Sequence, residues 1–332
     1  MRNCVSVFWL LGALLALQTA FAVVSRAADG GGSALQAGEN RWVPSFAITS
    51  GVTLQKMDGF TNSVLIPGDG DPPSVPLQGM VDGSDLVVSP FVGGDLEVMT
   101  PALPIPTRPR LFVSGEILPT FAADRAVAVD GNPGCITGPE NGAPCATEDT
   151  TVRPISFGEA AANGQGTKTQ AQIDTLVFGA TAGLSFPARF LEREFRIKPS
   201  VGWIRYKVDA TGLVVDAECD PDNRCTTDFF GSGFLRETHL EGSGSRTFDG
   251  IGPGLDLEMD VYRWGQLGVS LFLGAGAYHV LGGRTITFST SEEFDDQIGT
   301  NDLAVADFEV EVKPWIYRAH LGIRFAWVGS PD

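Results

Sequence analysis

Three carboxylates spaced two residues apart form the most chemically distinctive stretch of the sequence. Asp256, Glu258 and Asp260 alternate with apolar residues in the segment 251–261. Because successive side chains of a β-strand point to opposite faces, the three carboxylates share one face and lie about 6.6 to 6.8 Å apart. A ladder of this kind can pair with basic side chains, hold a metal ion or pass protons along the strand.

Basic and acidic residues occupy the equivalent face of other predicted strands. Those strands alternate in the same way, so their charged side chains are predicted to converge with the carboxylate ladder. We therefore predict one network of interior charges, which comprises Asp95, Glu97, Glu116, Arg196, Lys198, Asp256, Glu258, Asp260, Arg318, His320 and Arg324.

The strands that must position these charges are clearest in the hairpin 251–280. Its first arm places apolar residues opposite the carboxylates, and its second arm, 267–280, places apolar residues opposite small or polar ones. Each arm is long enough to supply the roughly 9 to 11 residues that a tilted strand needs to cross a bilayer. The hairpin therefore predicts two membrane-spanning strands, each with an apolar outer face and a polar inner face.

The same alternation recurs along the chain and predicts an all-β, antiparallel, up-and-down transmembrane β-barrel. We expect eight strands, with ten as the alternative, and long extracellular loops at one end. A soluble calyx of the lipocalin type would instead place the apolar face inside. The strands are expected at about residues 42–55, 86–100, 110–122, 173–186, 195–208, 251–261, 267–280 and 315–327. The long loops are expected at about residues 56–85, 123–171, 209–250 and 282–307, the last of which could extend its hairpin beyond the membrane.

Composition and the N-terminal segment predict an exported protein. With 43% hydrophobic residues the chain is too polar for a bundle of membrane helices, and 41 glycines and 21 prolines suit many strands and turns. The apolar segment 5–24 contains Ala20-Phe21-Ala22, which predicts a signal peptide at 1–22, or cleavage after residue 27. A flexible periplasmic lead-in (23–41), the barrel (42–328) and a C-terminal tail (329–332) follow.

Charge and cysteine content limit the partners. The formal charge of −17 becomes −18 when the signal peptide removes the single positive charge of Arg2, which argues against nucleic acid. In an oxidising compartment the spacing favours two local disulfides, Cys135 with Cys145 and Cys219 with Cys225, among three possible connectivities. Zinc is the alternative, but the cysteines lack nearby histidines, so we expect no metal and no cofactor.

Four bulky aromatic residues fall at the predicted periplasmic ends of strands. They are Trp42, Tyr262, Trp264 and Trp327. Tryptophan and tyrosine concentrate where a bilayer meets water, because one part of each side chain is apolar and another is polar. We therefore predict a periplasmic aromatic belt.

The chain resembles the small outer-membrane β-barrel proteins of Gram-negative bacteria, the eight-stranded class that includes the OmpA membrane domain, OmpX and OmpW. The resemblance covers about residues 42–328, and its most specific part is the closing strand WIYRAHLGIRFAWV at 315–328. That strand is similar to the signal read by the barrel-assembly machinery, although the chain continues to residue 332. The resemblance implies an outer-membrane location, contact with outer-membrane lipids and lipopolysaccharide, and a monomer.

Three functions remain for such a barrel. An eight-stranded barrel has an interior just wide enough to be filled by side chains, so we expect a structural or surface-interaction protein that acts through its loops. A narrow channel for small solutes is the alternative. A lipid A-modifying enzyme comes third, with His279 as its best candidate near the outer strand end. Because the sequence shows no convergent Ser, His and acid, we expect no enzyme and no catalytic residue.

Overall fold

The computed structural model describes residues 41–66, 75–121, 125–132, 165–190, 193–219, 234–295 and 301–328. These residues form eleven antiparallel strands, and none of them belongs to a helix long and apolar enough to cross a membrane. The strands are β1 (Val43–Ile66), β2 (Val75–Met99), β3 (Arg110–Pro119), β4 (Arg125–Asn132), β5 (Gln165–Ile173), β6 (Leu176–Phe190), β7 (Arg193–Cys219), β8 (Phe234–Trp264), β9 (Leu267–Leu281), β10 (Thr285–Asp295) and β11 (Asn301–Trp327).

The strand pairings close into a ring. The ring runs through β1, β2, β3, β6, β7, β8, β9 and β11, and β11 pairs back with β1. The remaining three strands extend it: β4 pairs with β5, β5 continues alongside β7, and β10 pairs with β11. A closed ring leaves no unpaired sheet edge around this part of the molecule, which satisfies the backbone hydrogen bonds of every strand in it.

Three strands of the sheet end at one height of the barrel. The backbone N–H of Asp174, after β5, donates to the carbonyl of Lys207 on β7. Leu281, the last residue of β9, pairs with Asp249, which in turn pairs with Arg205 on β7. β3 ends at the same level, because the backbone N–H of Thr120, the residue after β3, donates to the carbonyl of Thr175, which lies between β5 and β6. We call the level of Arg205 and Lys207 the waist, and we call the end that holds the start of β1 and the end of β11 the lower end.

Below the waist, the outward side chains are apolar and the inward ones are small, polar or charged. On β11, Leu321 and Ile323 are exposed on the outside, whereas Arg318 and Arg324 are buried inside. The other strands contribute the exposed residues Phe46, Ile48, Val92, Leu96, Leu111, Val113, Ile117, Phe178, Ile197, Val201, Leu255, Leu257 and Leu273. An apolar band of this extent is unsuited to water.

Above the waist, the polarity of the two faces is inverted. On β11, Phe308, Val310 and Val312 are buried inside, whereas Glu309 and Glu311 are partly exposed on the outside. The same core includes Met57, Val127, Tyr206, Val208, Phe248, Ile286 and Leu240. The upper half is therefore built like a water-soluble β-structure, with an apolar core and a polar surface.

β4 lies inside the upper half, because glycines on β1 and β2 let its backbone pack closely against these two strands. Gly59 on β1 pairs with Gly83 on β2, and β4 packs against both. A Cβ atom on Gly83 would lie 2.6 Å from the carbonyl oxygen of Val127 and 3.0 Å from the Cα of Ala128. These contacts leave room only for a hydrogen at Gly83, so β4 packs directly on the wall.

Much of the sequence expected to form long loops is strand. Residues 56–66 and 75–85 belong to β1 and β2, and most of 285–307 belongs to β10 and β11. β4 and β5 likewise occupy parts of the expected loop 123–171, and β7 and β8 extend into the loop 209–250. The loop prediction is wrong for the strand segments within 56–85, 123–171 and 209–250, because an apolar-outside pattern was expected throughout while the pattern inverts above the waist. Within 282–307 the strands that the sequence allowed as an extension of the hairpin are present as β10 and the first part of β11. Residues 67–74, 133–164, 220–233 and 296–300 lie outside the described residues.

Replacement of Gly83 by valine is predicted to displace β4 from the wall of the upper half. Overpacking against backbone atoms should reduce the free energy of unfolding by about 1 to 3 kcal/mol. Urea-induced unfolding in detergent micelles measures the loss. Ser84→Val is the matched control, since Ser84 is exposed on the outer face of the same strand. Equal losses for the two variants would contradict the close approach of β4.

Candidate functional site

Lys198 is the centre of a buried charge network inside the lower half of the barrel. Its side chain is 0% exposed. The Nζ atom donates to Glu97 Oε1 at 2.7 Å and Oε2 at 2.5 Å, and it lies 3.3 Å from Glu258 Oε2. The Nζ atom also stands 4.4 Å from the ring centroid of Phe112, which adds a cation–π contact. A buried ammonium is stable only with such partners, so these contacts are essential to the fold.

Two arginines extend the network on either side of Lys198. Arg196 donates to Glu258 Oε1 at 2.8 Å and to Asp260 Oδ1 at 2.5 Å. Arg324 forms ion pairs with Asp95, with Glu97 and, at 3.8 Å, with Glu258. Each shared carboxylate therefore joins two or three cations, and the network ties β2, β7, β8 and β11 together across the interior.

Two further pairs lie nearer the waist. Arg318 forms an ion pair with Glu116 and donates to the hydroxyl oxygen of Tyr278 at 2.9 Å. His320 Nε2 lies 3.1 Å from Asp256 Oδ1. With these two pairs, nine of the eleven residues of the predicted interior network have an ion-pair partner, and the other two, His320 and Asp256, contact each other.

Strand register explains why these residues meet. Arg196 is paired directly with Glu258, and Lys198 with Asp256, on the adjacent strands β7 and β8. Arg324 on β11 is aligned with Ala47 on β1, which is aligned with Asp95 on β2. The small side chain of Ala47 leaves the space through which Arg324 reaches the carboxylates of β2.

The charges of the network do not cancel. Six carboxylates, of Asp95, Glu97, Glu116, Asp256, Glu258 and Asp260, face four permanent cations, of Arg196, Lys198, Arg318 and Arg324. Counted without His320, the interior therefore carries a formal charge of −2. Among the described residues, no set of three His, Cys, Asp or Glu side chains is arranged to hold a metal ion.

The network nearly fills the lower interior. A cavity of about 30 Å³ lies beside it, and its lining includes Asp95, Glu116, Asp256 and His320. A cavity of this size holds one or two water molecules, which could meet the hydrogen-bonding needs of the surrounding polar atoms. The arrangement therefore resembles a plug more than a conduit.

An apolar layer covers the network at the waist. Phe91, Tyr206 and Phe248 are fully buried there, together with Met57. Gln55 Nε2 donates to the hydroxyl oxygen of Tyr206 at 2.8 Å, which satisfies the polar end of that ring. An ion that entered the lower interior would have to lose its hydration shell to pass this layer, which is unfavourable.

The predicted aromatic belt residues lie together at the lower end and face outward. Trp264 and Trp327 are 76% and 57% exposed, and both pair with Leu267 on β9. Trp42 and Tyr262 are also exposed at this end. The four residues therefore lie on one side of the lower end, from β8 across β9 to β11 and the start of β1, and form an aromatic rim there below the apolar band.

A second set of outward aromatic residues at the waist was missed in the sequence. It comprises Trp203, Trp315 and Tyr317. Trp315 and Trp327 are twelve residues apart on β11. Twelve residues span about 40 Å along a strand and about 28 Å across a bilayer at a tilt of about 45°. The alternation of β11 contained this signal, since Trp315 shares the parity of Trp327.

The remaining candidates of the sequence lie apart from the network. His279 faces outward. Its ring lies 5.2 Å from that of Trp315, so it contacts the aromatic set at the waist. The third histidine, His239, falls within the expected loop 209–250 but lies in β8. Cys135, Cys145 and Cys225 lie outside the described residues, and Cys219 is the last residue of β7. The disulfides therefore stay predictions.

Replacement of Lys198 by methionine is predicted to destabilise the barrel strongly. Methionine fills a similar volume but leaves Glu97 and Glu258 short of a cation, and removing one partner of a buried pair costs about 3 to 5 kcal/mol. Urea-induced unfolding in lipid vesicles measures the change. The control is Arg189→Gln, because the side chain of Arg189 is 72% exposed in its 2.8 Å pair with Glu194 and such pairs contribute about 1 kcal/mol or less. A loss at Lys198 no larger than that of the control would contradict the proposed importance of the network.

Comparison with solved structures finds outer-membrane proteins. The fold is similar to that of Ail, the attachment invasion locus protein of Yersinia pestis, at 12% identity over 84% of this chain and 97% of Ail, with a TM-score of 0.23. A major outer membrane protein from Thermus thermophilus matches at 12% identity over 83% of this chain and 99% of that chain, with a TM-score of 0.29. The outer membrane protease OmpT from Escherichia coli matches at 9% identity over 84% of this chain and 96% of OmpT, with a TM-score of 0.21.

Sequence comparisons add no relative: no family model matches the chain, and no curated protein matches it. The structural matches belong to the class that the sequence resembles, the outer-membrane β-barrels. Their TM-scores are too low to carry a functional argument, so the function is inferred from the geometry of this chain alone.

Proposed function

We propose that the chain is an integral outer-membrane β-barrel that is closed to solutes and acts through the surface it presents above the waist. The observation that carries this proposal is the opposite arrangement of the two halves. The lower half has an apolar outside and an ion-paired inside, whereas the upper half has a polar outside and an apolar inside. Each half therefore matches a different solvent, the first a bilayer and the second water.

The height of the apolar band supports the membrane placement. The band lies between the aromatic rim at the lower end and the aromatic set at the waist, and the estimated separation of about 28 Å agrees with the thickness of a bilayer core of about 30 Å. In this placement the membrane-crossing part has eight strands rather than ten, because the ring of pairings has eight members. The lower end faces the periplasm, since both ends of the barrel chain lie there.

The interior supports a closed barrel over a narrow channel. The charged network and the apolar layer lie in series, so a solute would have to displace ion pairs and then cross a region without polar partners. A role at the surface follows from this closure, because the strands above the waist and their connections are the parts accessible to partners outside the cell. Export by the expected signal peptide is part of this proposal.

Extraction from membranes tests the placement. We expect the protein to fractionate with the outer membrane and to change its mobility in an electrophoresis gel when boiled, because a closed hydrogen-bonded barrel resists detergent until it is heated. An unheated and a heated sample of the same fraction provide the comparison. A soluble periplasmic protein without a mobility shift would contradict the proposal and would favour a calyx with its apolar face inside.

Single-channel recording tests the closure. We expect no stepwise current from the protein in a planar bilayer, because the charged network and the apolar layer at the waist lie in series across the interior. A control recording with a known porin shows that the bilayer reports channels. Stepwise currents whose ion preference changes in Glu258→Gln or Arg324→Gln would instead establish the narrow channel.

A further inference from the structure

Above the waist the strands form two sheets that face each other across the apolar core. The first, which we call the front sheet, has the order β10, β11, β1 and β2, and the second, the back sheet, has the order β4, β5, β7 and β8. Among the described residues no strand pairing joins the two sheets above the waist. Each sheet therefore has an outer face of its own, and the two faces can be compared directly.

The outer face of the front sheet combines apolar residues with carboxylates. Met80 is 75% exposed and Ile66 is 41% exposed, although both lie well above the apolar band of the lower half. We call this surface the acidic face; its apolar members are Phe60, Val64, Ile66, Met80, Leu303 and Val305, and its acidic members are Asp82, Glu293, Asp307 and Glu309. Apolar residues that are grouped on a surface and bordered by polar ones are typical of a site that binds a partner.

The acidic face has no basic residue of its own. The segments that contribute it, 57–83 and 285–312, contain no lysine, arginine or histidine. Its four carboxylates form no ion pair with any residue that the structure describes. Below them, Lys313 is paired with Asp58 and, at 3.1 Å, with Glu311. The four carboxylates are therefore available to a basic group that comes from outside the chain.

A groove of about 390 Å³ crosses the acidic face, and its lining includes Phe60, Thr287, Ser289, Asp307 and Glu309. Strand pairing places Phe60 beside Glu309, and Ser289 beside Asp307. Paired residues on one face of a sheet have Cβ atoms about 5 Å apart, and alternate residues of one strand lie about 6.6 to 6.8 Å apart. The groove therefore holds two carboxylates and an aromatic ring within the reach of one long side chain.

An arginine or lysine side chain fits the chemistry of this groove. A guanidinium group has five N–H donors, enough to bind both Asp307 and Glu309, and its flat face packs favourably on an aromatic ring such as that of Phe60. A metal ion fits less well, because within the described ranges no three His, Cys, Asp or Glu side chains are arranged to hold one. The groove is therefore suited to an organic cation.

We propose that the acidic face binds a peptide segment of a partner protein that carries arginine or lysine together with apolar side chains. One basic side chain enters the groove, and the apolar side chains cover Val64, Val305 and their apolar neighbours. Complementary charge across an interface selects the partner, and aromatic residues, methionine and arginine are enriched at such interfaces. A second copy of this chain is a poor partner, because each copy has a formal charge of −17. The inference rests on the proposed function, which places this face outside the cell.

The outer face of the back sheet provides a contrast within the same molecule. Its exposed residues on β8 include Ser243, Ser245 and Thr247. Glu241 belongs to the same row; it is exposed and also forms no ion pair within the described part of the chain. Replacement of Glu241 by lysine therefore changes the charge as much as Glu309→Lys does, but on the opposite sheet.

Titration of the full chain in nanodiscs of zwitterionic lipid tests the proposal. The probe is a short fluorescent peptide with equal numbers of arginine and leucine; one control peptide has serine in place of leucine, and another has glutamine in place of arginine. Fluorescence anisotropy gives the dissociation constants, and empty nanodiscs give the background. We expect both control peptides to bind about tenfold more weakly or worse. Glu309→Lys and Phe60→Ser should each weaken binding of the probe by about tenfold or more, whereas Glu241→Lys should change it by less than about twofold.

Three outcomes would overturn the proposal. Equal weakening by Glu309→Lys and Glu241→Lys, or equal binding of the serine peptide, would indicate a general attraction of cations to an acidic protein. Self-association of the natural sequence that Phe60→Ser abolishes would make a second copy the occupant of the face. The heat-dependent mobility shift of each variant establishes first that it forms the barrel. Failure of the natural sequence to insert would contradict the membrane placement, whereas insertion without peptide binding would contradict the acidic face alone.

Discussion

The lower half of the barrel depends on the pairing of charges that cannot reach water. Lys198 is completely enclosed, and Glu97 and Glu258 each share their oxygens among two or three cations. Transfer of a single ion into such surroundings is strongly unfavourable, so the network is stable only when its members are present together. The register of β2, β7, β8 and β11 is consequently tied to these contacts, because a slip by one residue would send the charges outward.

The waist divides one continuous set of strands into two environments. Below it the barrel has a polar interior and an apolar exterior, and above it the order is reversed. β1 and β2 keep a continuous series of pairs through this change, whereas the register of β1 with β11 shifts between Gln55 and Met57, opposite residues 313–315. On β11 the change takes place within a few residues, from Val312 inside and Lys313 outside to Trp315 outside and Arg318 inside. The apolar core above thereby covers the charges below.

The sequence by itself determined the alternation of the strands, the face shared by the charged residues and the aromatic lower end, because side-chain direction in a strand repeats every two residues. It could not determine which strands meet, since Arg324 and Asp95 are brought together only by the register of β1 between them. Apart from the extension of the last hairpin, it did not reveal the strands above the waist either. Their pattern has the opposite polarity, and only the closed ring shows which face is inside, because inside and outside are properties of the assembled barrel.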